Sequence, residues 1–343
     1  MKVAFFDIKK YDIDSFEKYK KEGMEFKYYE AKLNLDTVDL ANWYDGVCII
    51  VNDHVNKAVI DKLVSYNVKF IALRCAGFNN VDVKYAFEKI HVVRVHSYSP
   101  YAVADHAIAM LLTSIRRIHK AYIITIDFNF NLNGLTGFDL YGKTIGVIGT
   151  GKIGRVFINI CLGFGMKVLA YDKYPTDDEE FLKKVKYVSL DELFVNSDII
   201  SLHCPLTEET KYIINKKTIK KCKDGFVLIN TSRGALVDSE ALLEGIKSRK
   251  IGAACLDVYE EEADFFFEDY SGHIMEDDIL ARLLSMPNVI ITSHQAFLTV
   301  EALNNIAQTS VNNMDEIFKN NKCDNEVCFI KGDVTECNGK KCF

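Results

Sequence analysis

The chain has 343 residues, about half of them apolar and a quarter charged, with four prolines and a formal net charge of −6. That length suggests two domains with ample core, the composition is that of an ordinary soluble globular protein, and the acidic balance argues against nucleic acid or an anionic membrane as partner. No apolar run reaches the roughly 18 residues needed to span a bilayer, and Met1-Lys2-Val3-Ala4-Phe5-Phe6-Asp7 reads as a first strand, not a targeting segment, which points to the cytoplasm.

In chain order, strand-like runs fall at 2–8, 26–30, 46–51, 69–75 and 91–96, with helical spacing between them at 56–65 and 83–88. A single long helix is predicted over 100–122: Pro100 suits a first turn, and Ala104, Ile108, Leu111, Leu112 and Ile115 recur at three and four residues. Next comes an apolar strand at 143–148, the turn Gly149-Thr150-Gly151-Lys152-Ile153-Gly154, a helix at 155–163, and a strand at 167–171 that ends on Asp172. Each glycine has a physical task there: Gly149 allows the tight turn, Gly151 lets backbone approach a pyrophosphate, and Gly154 lets the helix pack close to the strand. The helix start offers unpaired N–H groups and a positive dipole end to phosphate. Asp172, 18 residues after Gly154, can accept hydrogen bonds from ribose hydroxyls and would repel a 2′-phosphate, which favours NAD over NADP. Further strands are predicted at 198–203, 226–230, 252–257 and 288–293, and a last helix, entered from Thr299, runs through 304–318.

Strands alternating with helices imply parallel α/β architecture. The expectation is two doubly wound domains. A Rossmann nucleotide-binding domain at 100–297 is inserted into a flavodoxin-like domain made of 1–99 plus 298–343, which lacks a glycine fingerprint and is assigned to the substrate. Open parallel sheets bind ligands at the carboxyl ends of their strands. The residues at those positions are Arg74 to Gly77, Tyr98, His203, Arg233, Asp257, Glu262 and His294. Hydride transfer to or from a carbon bearing oxygen needs a proton carrier, and histidine titrates near neutrality. His294 follows the run 288–293, and Glu262 is the candidate carboxylate to fix its tautomer. Arg233, just after the run 226–230, offers a bidentate cation for a substrate carboxylate. Taken singly, His294 could be a structural hydrogen-bonder, Arg233 a surface ion-pair residue, Glu260-Glu261-Glu262 a solvated patch, His203 a packing residue, and His106 structural or interfacial.

Ten cysteines divide into six in strand and helix patterns (Cys48, Cys75, Cys161, Cys204, Cys222, Cys255) and four in the tail, Cys323, Cys328, Cys337 and Cys342. The tail spacing is a marginal match to zinc ligands. A reduced, partly disordered tail is the plain expectation, with metal binding or redox cross-linking as the alternative.

Several ordered motifs resemble the D-isomer-specific 2-hydroxyacid dehydrogenase family, and within it the branch acting on D-lactate. They are Arg74-Cys75-Ala76-Gly77-Phe78-Asn79-Asn80-Val81-Asp82, Tyr98-Ser99-Pro100 through Asp105-His106-Ala107, the glycine turn, His203-Cys204-Pro205-Leu206-Thr207, Asn230-Thr231-Ser232-Arg233-Gly234, Leu256-Asp257 through Glu262, and Ser293-His294-Gln295-Ala296-Phe297. The aromatic and acidic stretch 264–284, with Phe265-Phe266-Phe267, and Phe297 resemble that branch in particular. The resemblance implies reversible NAD-dependent interconversion of a D-2-hydroxy acid and its 2-oxo acid, with D-lactate and pyruvate favoured over bulkier branched or aromatic acids. It implies Arg233, Glu262 and His294 as catalytic residues, Ala76, Gly77, Tyr98 and Phe297 at the substrate, and Gly149, Gly151, Lys152, Ile153, Gly154, Asp172, His203, Cys204, Pro205, Thr231 and Asp257 at the cofactor. Asp257 would lie on the nicotinamide side. No metal is implied. A homodimer through the helix after Pro100 is implied, as is closure about hinges near 98–101 and 297–299. Asp105 departs from the family's usual glutamate. The competing reading from another class is an NAD(H)-sensing binding protein, since the family includes members that resemble corepressors.

Overall fold

The alternation of apolar runs and amphipathic stretches becomes two separate all-parallel sheets, each with helices beside its strands. A computed structural model of the chain describes residues 1–262, 265–330 and 333–336. The chain divides into two units, Met1–Ser99 with Leu298–Phe343, and Pro100–Phe297.

The first unit opens with β1 (Lys2–Phe5), α1 (Lys10–Tyr19), β2 (Glu25–Tyr28), β3 (Gly46–Ile49), α2 (Lys57–Ser65), β4 (Phe70–Leu73), α3 (Val83–Ala86) and β5 (His91–Arg94). The sheet order is β2-β1-β3-β4-β5, parallel throughout, which is the flavodoxin-like order. β3 and β4 are buried at every position, as parallel strands covered on both faces must be. Val59, Ile60 and Leu63 of α2 form one helix face and join Val47, Ile49, Ile71 and Leu73 in the core. Each such side chain contributes about 1.5–3 kcal/mol by leaving water. Asn56 caps α2 by accepting the Val59 N–H at 3.1 Å.

The second unit contains α4 (Pro100–Ile115), α5 (Ile118–Ile126), β6 (Thr144–Ile148), α6 (Lys152–Gly163), β7 (Lys167–Tyr171), α7 (Glu179–Leu182), β8 (Lys186–Tyr187), α8 (Leu190–Asn196), β9 (Ile199–Leu202), α9 (Lys216–Lys221), β10 (Phe226–Asn230), α10 (Ser239–Lys247), β11 (Ile251–Leu256), α11 (Asp278–Leu284) and β12 (Val289–Ile291). Its seven strands lie in the order β12-β11-β10-β9-β6-β7-β8. Read from β8, that is the dinucleotide-binding order with one strand added, and its switch point falls between β6 and β9. The strands ending at this crevice carry the glycine turn and His203.

The predicted single helix over 100–122 is two helices. Arg117 adopts a left-handed backbone, φ 55°, and ends the hydrogen-bonded run between α4 and α5. Gly137 lies so close to the last turn of α4 that a Cβ there would come within 2.1 Å of the Ile115 carbonyl oxygen. Apolar periodicity continues through the break and so concealed it.

The chain then returns to the first unit with α12 (Val300–Asn320), capped by Thr299, whose hydroxyl accepts the Ala302 N–H at 3.2 Å. α12 packs on α1, β4 and β5. β13 (Val327–Ile330) and β14 (Asp333–Glu336) form an antiparallel hairpin. The expected loose, reduced tail is corrected here: Cys323 is buried with its thiol on Asn313 Oδ1 at 3.3 Å, and Cys328 is buried and disulfide-bonded. Cys337 and Cys342 lie outside the described residues. Among the described residues no helix is long and apolar enough to cross a membrane, and no group of His, Cys, Asp and Glu is placed to hold a metal ion.

Candidate active site

At the end of β6 the chain turns through Gly149 with φ +98°, a conformation open to glycine. A Cβ at Gly149 would sit 2.5 Å from the His203 carbonyl carbon and 2.6 Å from the Cys204 nitrogen. The turn is therefore pressed against the end of the neighbouring strand β9. A Cβ at Gly154 would meet the Gly149 carbonyl oxygen at 2.1 Å, which holds α6 tight against the turn, whereas at Gly151 it would meet nothing within 4 Å. Gly151 thus presents bare backbone, and Lys152, Ile153 and Gly154 follow it as the first turn of α6, where N–H groups have no partner within the helix. Asp172, just beyond β7, accepts from the Thr150 N–H at 2.6 Å, the Thr150 hydroxyl at 3.0 Å and the Tyr174 N–H at 2.9 Å. These bonds pin its carboxylate at the rim of a cavity of about 590 Å³, lined by Gly149, Gly151, Asp172, His203, Cys204 and Pro205 among others.

His203 hydrogen-bonds Ser201 Oγ through Nε2 at 2.8 Å and packs its ring 4.8 Å from that of Phe157. Burial pushes its pKa down to about 3, so it stays neutral at physiological pH. Burial likewise pushes the Cys204 thiol up to about 11, which leaves it protonated and unreactive.

Three adjacent strands, β10, β11 and β12, carry the remaining polar groups of this unit. After β10, Thr231 is buried with its hydroxyl lacking a hydrogen-bond partner. The Ser232 hydroxyl donates to the Cys204 carbonyl at 2.7 Å, and Asn230 ties the turn by donating to the Arg233 carbonyl at 2.9 Å. The Arg233 guanidinium touches only the Ser232 carbonyl, at 2.7 Å, and has no carboxylate partner among the described residues. A Cβ on Gly234 would lie 2.0 Å from the Tyr259 carbonyl oxygen, so the loops after β10 and β11 meet backbone to backbone. After β12, His294 stands with φ 50°, a costly conformation for a residue with a side chain. Its Nδ1 is 2.9 Å from Glu262 Oε1, while Glu262 Oε2 accepts the Tyr259 N–H at 2.9 Å. Phe267 lies beside the imidazole, ring centres 5.9 Å apart. The acidic run is no uniform solvated patch: Glu260 is held by Tyr212 and Ser239, Glu261 is exposed, and Glu262 is on His294.

Asp257 is fully enclosed. Its oxygens accept from the Thr292 hydroxyl at 2.5 Å, the Gln295 N–H at 2.9 Å and the Ala296 N–H at 2.9 Å, and His106 Nε2 lies 3.2 Å away. Expected on the nicotinamide side, it anchors the loop that bears His294. Phe297, half-buried, ends that loop.

Ala76, Gly77 and Tyr98 belong to the other unit. Arg94 donates to the Ala76 carbonyl at 2.6 Å, the Cys75 thiol to the Gly77 carbonyl at 3.2 Å, and Asn305 to the Tyr98 carbonyl at 2.9 Å. Arg74, next to this loop, is almost wholly buried and donates to the carbonyls of Phe6 and Asp7. Thr150, Phe267 and Thr292 were not singled out as site residues from sequence. Thr150, inside the glycine turn, and Phe267, inside the aromatic stretch, carried a local signal.

A Rossmann sheet with a glycine turn and an acid at its second strand, together with a histidine–carboxylate pair and an unpaired arginine at neighbouring strand ends, describes a nicotinamide-dependent dehydrogenase. Residues 108–296 match the family described as D-isomer specific 2-hydroxyacid dehydrogenase, NAD binding domain. The chain is 49% identical over 329 residues to the D-lactate dehydrogenase of Escherichia coli strain K12, covering 95% of this chain and 100% of that one. Its structure resembles the apo-structure of D-lactate dehydrogenase from Escherichia coli with a TM-score of 0.87 and 47% identity, covering 95% and 99% of the two chains. It also resembles the pyruvate reductase of Chlamydomonas reinhardtii, with a TM-score of 0.87, 42% identity, and 92% and 96% covered. The chain belongs to the D-isomer specific 2-hydroxyacid dehydrogenase family, with residues 108–296 matching that family's NAD-binding domain.

Proposed function

We propose that this protein is an NAD-dependent D-lactate dehydrogenase, converting pyruvate, NADH and a proton to D-lactate and NAD⁺, and running in reverse when the products are in excess. The observation that carries this reading is the His294–Glu262 pair at 2.9 Å, set in a chain that aligns over nearly its whole length with a D-lactate enzyme.

The residues fit the cofactor. The bare backbone at Gly151, the cavity beside Asp172 and the unpartnered hydroxyl of Thr231 are what a dinucleotide would fill. Gly149, Gly151, Lys152, Ile153 and Gly154 would take the pyrophosphate, Asp172 the adenosine ribose, His203, Cys204 and Pro205 the adenosine side, and Thr231 the nicotinamide side. Asp257 would act there only through the loop it holds. When bound, NADH supplies the hydride.

The protein supplies charge, orientation and the proton. Arg233 would grip the substrate carboxylate bidentately and draw electron density from the adjacent carbonyl. The Ala76 and Gly77 N–H groups would take part in holding that carboxylate, and Tyr98 and Phe297 would bound a small pocket. Glu262 accepts the Nδ1 proton of His294, which leaves Nε2 to give its proton to the carbonyl oxygen in reduction and to recover it in oxidation. The unit made of Met1–Ser99 and Leu298–Phe343 would be the substrate domain, with hinges at the two chain crossings near 98–101 and 297–299 allowing closure that excludes water. A cytoplasmic homodimer completes the proposal. Ile118, Tyr122, Ile123, Ile126, Phe128 and Phe130 are all exposed on and just after α5, an apolar surface that a second subunit would cover.

The test follows NADH absorbance with pyruvate, 2-oxoisocaproate and phenylpyruvate in turn, with chiral analysis of the product. Preferential reduction of pyruvate to D-lactate is expected. Preference for a bulky acid would retain the mechanism and replace the substrate. NADH binding without turnover of any of the three would favour the NAD(H)-sensing reading.

A further inference from the structure

His106 lies on α4, far in sequence from Arg233, Glu262 and His294. Its Nε2 is 3.0 Å from Thr292 Oγ1 and 3.2 Å from Asp257 Oδ1. The Thr292 hydroxyl donates to Asp257 Oδ1 at 2.5 Å, so its own oxygen is left to accept, and the Nε2–H of His106 is a donor shared between the two oxygens. Asp257 has no exposure, and the His106 side chain is 18% exposed. A buried carboxylate must have its lone pairs filled by donors or it destabilises the fold around it. Among the described residues every other donor to it comes from the stretch Thr292–Ala296, and only His106 reaches in from a different element.

That stretch carries His294. The His294 N–H donates to the Asp257 carbonyl at 2.8 Å and to the Thr292 carbonyl at 3.1 Å, which holds the residue in its left-handed conformation. The loop therefore wraps around the Asp257 carboxylate, and His106 fastens the wrapped carboxylate and the Thr292 hydroxyl to α4. Glu262 and Phe267 hold the imidazole of His294, the Phe267 N–H reaches Ser293 Oγ at 3.4 Å, and the contacts of His106 tie the base of the loop to α4. Proton transfer needs its donor placed to a fraction of an ångström, and a left-handed histidine has nearby, less strained backbone states into which it can relax.

We propose that His106 is a positioning residue for proton transfer, acting through Asp257 and Thr292 to hold the loop of His294 in its reactive conformation. This rests on the proposed role of His294.

Three variants test it beside the unmodified enzyme, with His294→Gln as the control for the underlying mechanism. His106→Leu removes the donor and keeps bulk. His106→Gln places an amide nitrogen near the position of Nε2 and keeps it. Thr292→Val removes the hydroxyl that relays it. The expected result is a fall in kcat for pyruvate reduction of roughly tenfold to a hundredfold in His106→Leu and Thr292→Val, as for a small misplacement of a reacting group. The pyruvate KM and the NADH affinity should change little, and His106→Gln should restore most of the rate. Equal loss in His106→Gln and His106→Leu, or a full rate in a folded His106→Leu, would overturn the inference. So would a fall in NADH affinity that accounts for the whole rate loss. If His106→Leu does not fold, Thr292→Val decides by the same criteria. An active His294→Gln would instead sink the mechanism on which the inference stands, which separates the two failures.

Discussion

Replacing Glu262 by glutamine removes the negative charge from the histidine pair while keeping the side chain's shape. The Nδ1–Oε1 contact is 2.9 Å and both side chains are 20% exposed. A hydrogen bond to a charged group contributes about 1.5–3 kcal/mol, and partial exposure puts this one toward the lower end, about 1.5–2 kcal/mol. At 1.36 kcal/mol per factor of ten, kcat should fall by roughly 10- to 30-fold. The amide also has a directional problem. The Tyr259 N–H, 2.9 Å from Glu262 Oε2, requires an oxygen, so the introduced NH₂ turns toward His294 Nδ1 and donates to it. That places the imidazole proton on Nε2 and removes the base needed for D-lactate oxidation. Reduction suffers as well, because the imidazolium formed before proton transfer loses its counter-charge. The assay is a single-turnover measurement with enzyme preloaded with NADH and mixed with saturating pyruvate, which separates chemistry from binding. A rate within about twofold of the unmodified enzyme would refute the reasoning, since the pair would then be structural.

Three other outcomes are expected. Arg233→Lys loses the bidentate grip and should lower kcat/KM for pyruvate by roughly tenfold to a hundredfold, read from steady-state kinetics; an unchanged value would remove Arg233 from the substrate. Gly149→Ala drives a Cβ to 2.5 Å from the His203 carbonyl carbon at φ +98°, and NADH affinity, measured by calorimetric titration, should fall by about tenfold or more; intact affinity would contradict the tight turn. His203, held down to about 3 by burial, binds no proton when folded over a range where the unfolded chain, with an ordinary histidine pKa near 6.5, does. Its contribution to stability is thus complete above about pH 6.5 and is lost as pH falls toward 3, by at most about 1.4 kcal/mol per pH unit. Asp53, pushed up to about 6 by burial, acts in the opposite sense, so the comparison is made between the protein and His203→Gln. As pH is lowered from 6.5 to 4.5, the variant's Tm should fall less, or rise more, than that of the unmodified protein, and parallel curves would exclude the effect.

How much of this was legible depended on how local each feature is. The turn Gly149–Gly154 and Asp172 could be read because strand, turn, helix, strand and acid follow one another within one stretch of chain, and their backbone demands act on consecutive residues. The apolar runs likewise announced the strands of both parallel sheets except β8, which is two residues long and has too little pattern to be seen; the tail hairpin of β13 and β14 was not announced. The break at Arg117 was hidden, because a later segment presses on the Ile115 carbonyl and periodicity does not report that contact. The tail was misjudged for a related reason: Cys323 is buried by α12, an element whose position no local pattern specifies.

The acidic run marks the boundary most sharply. Glu260, Glu261 and Glu262 are chemically identical neighbours, and the amino-acid sequence determined only that three carboxylates follow a strand. Their fates were decided by which loops the sheet brings to its carboxyl edge: Tyr212 and Ser239 for the first, solvent for the second, His294 for the third. The same holds for His106 on α4, whose partners Asp257 and Thr292 follow β11 and β12. Sequence alone determined the parallel α/β class, the nucleotide turn and the residue types available for hydride chemistry, because these depend on short-range backbone and hydrophobic patterns. Tertiary structure decided which of those residues meet, because a hydrogen bond is set by ångström distances that only packing of distant segments can establish.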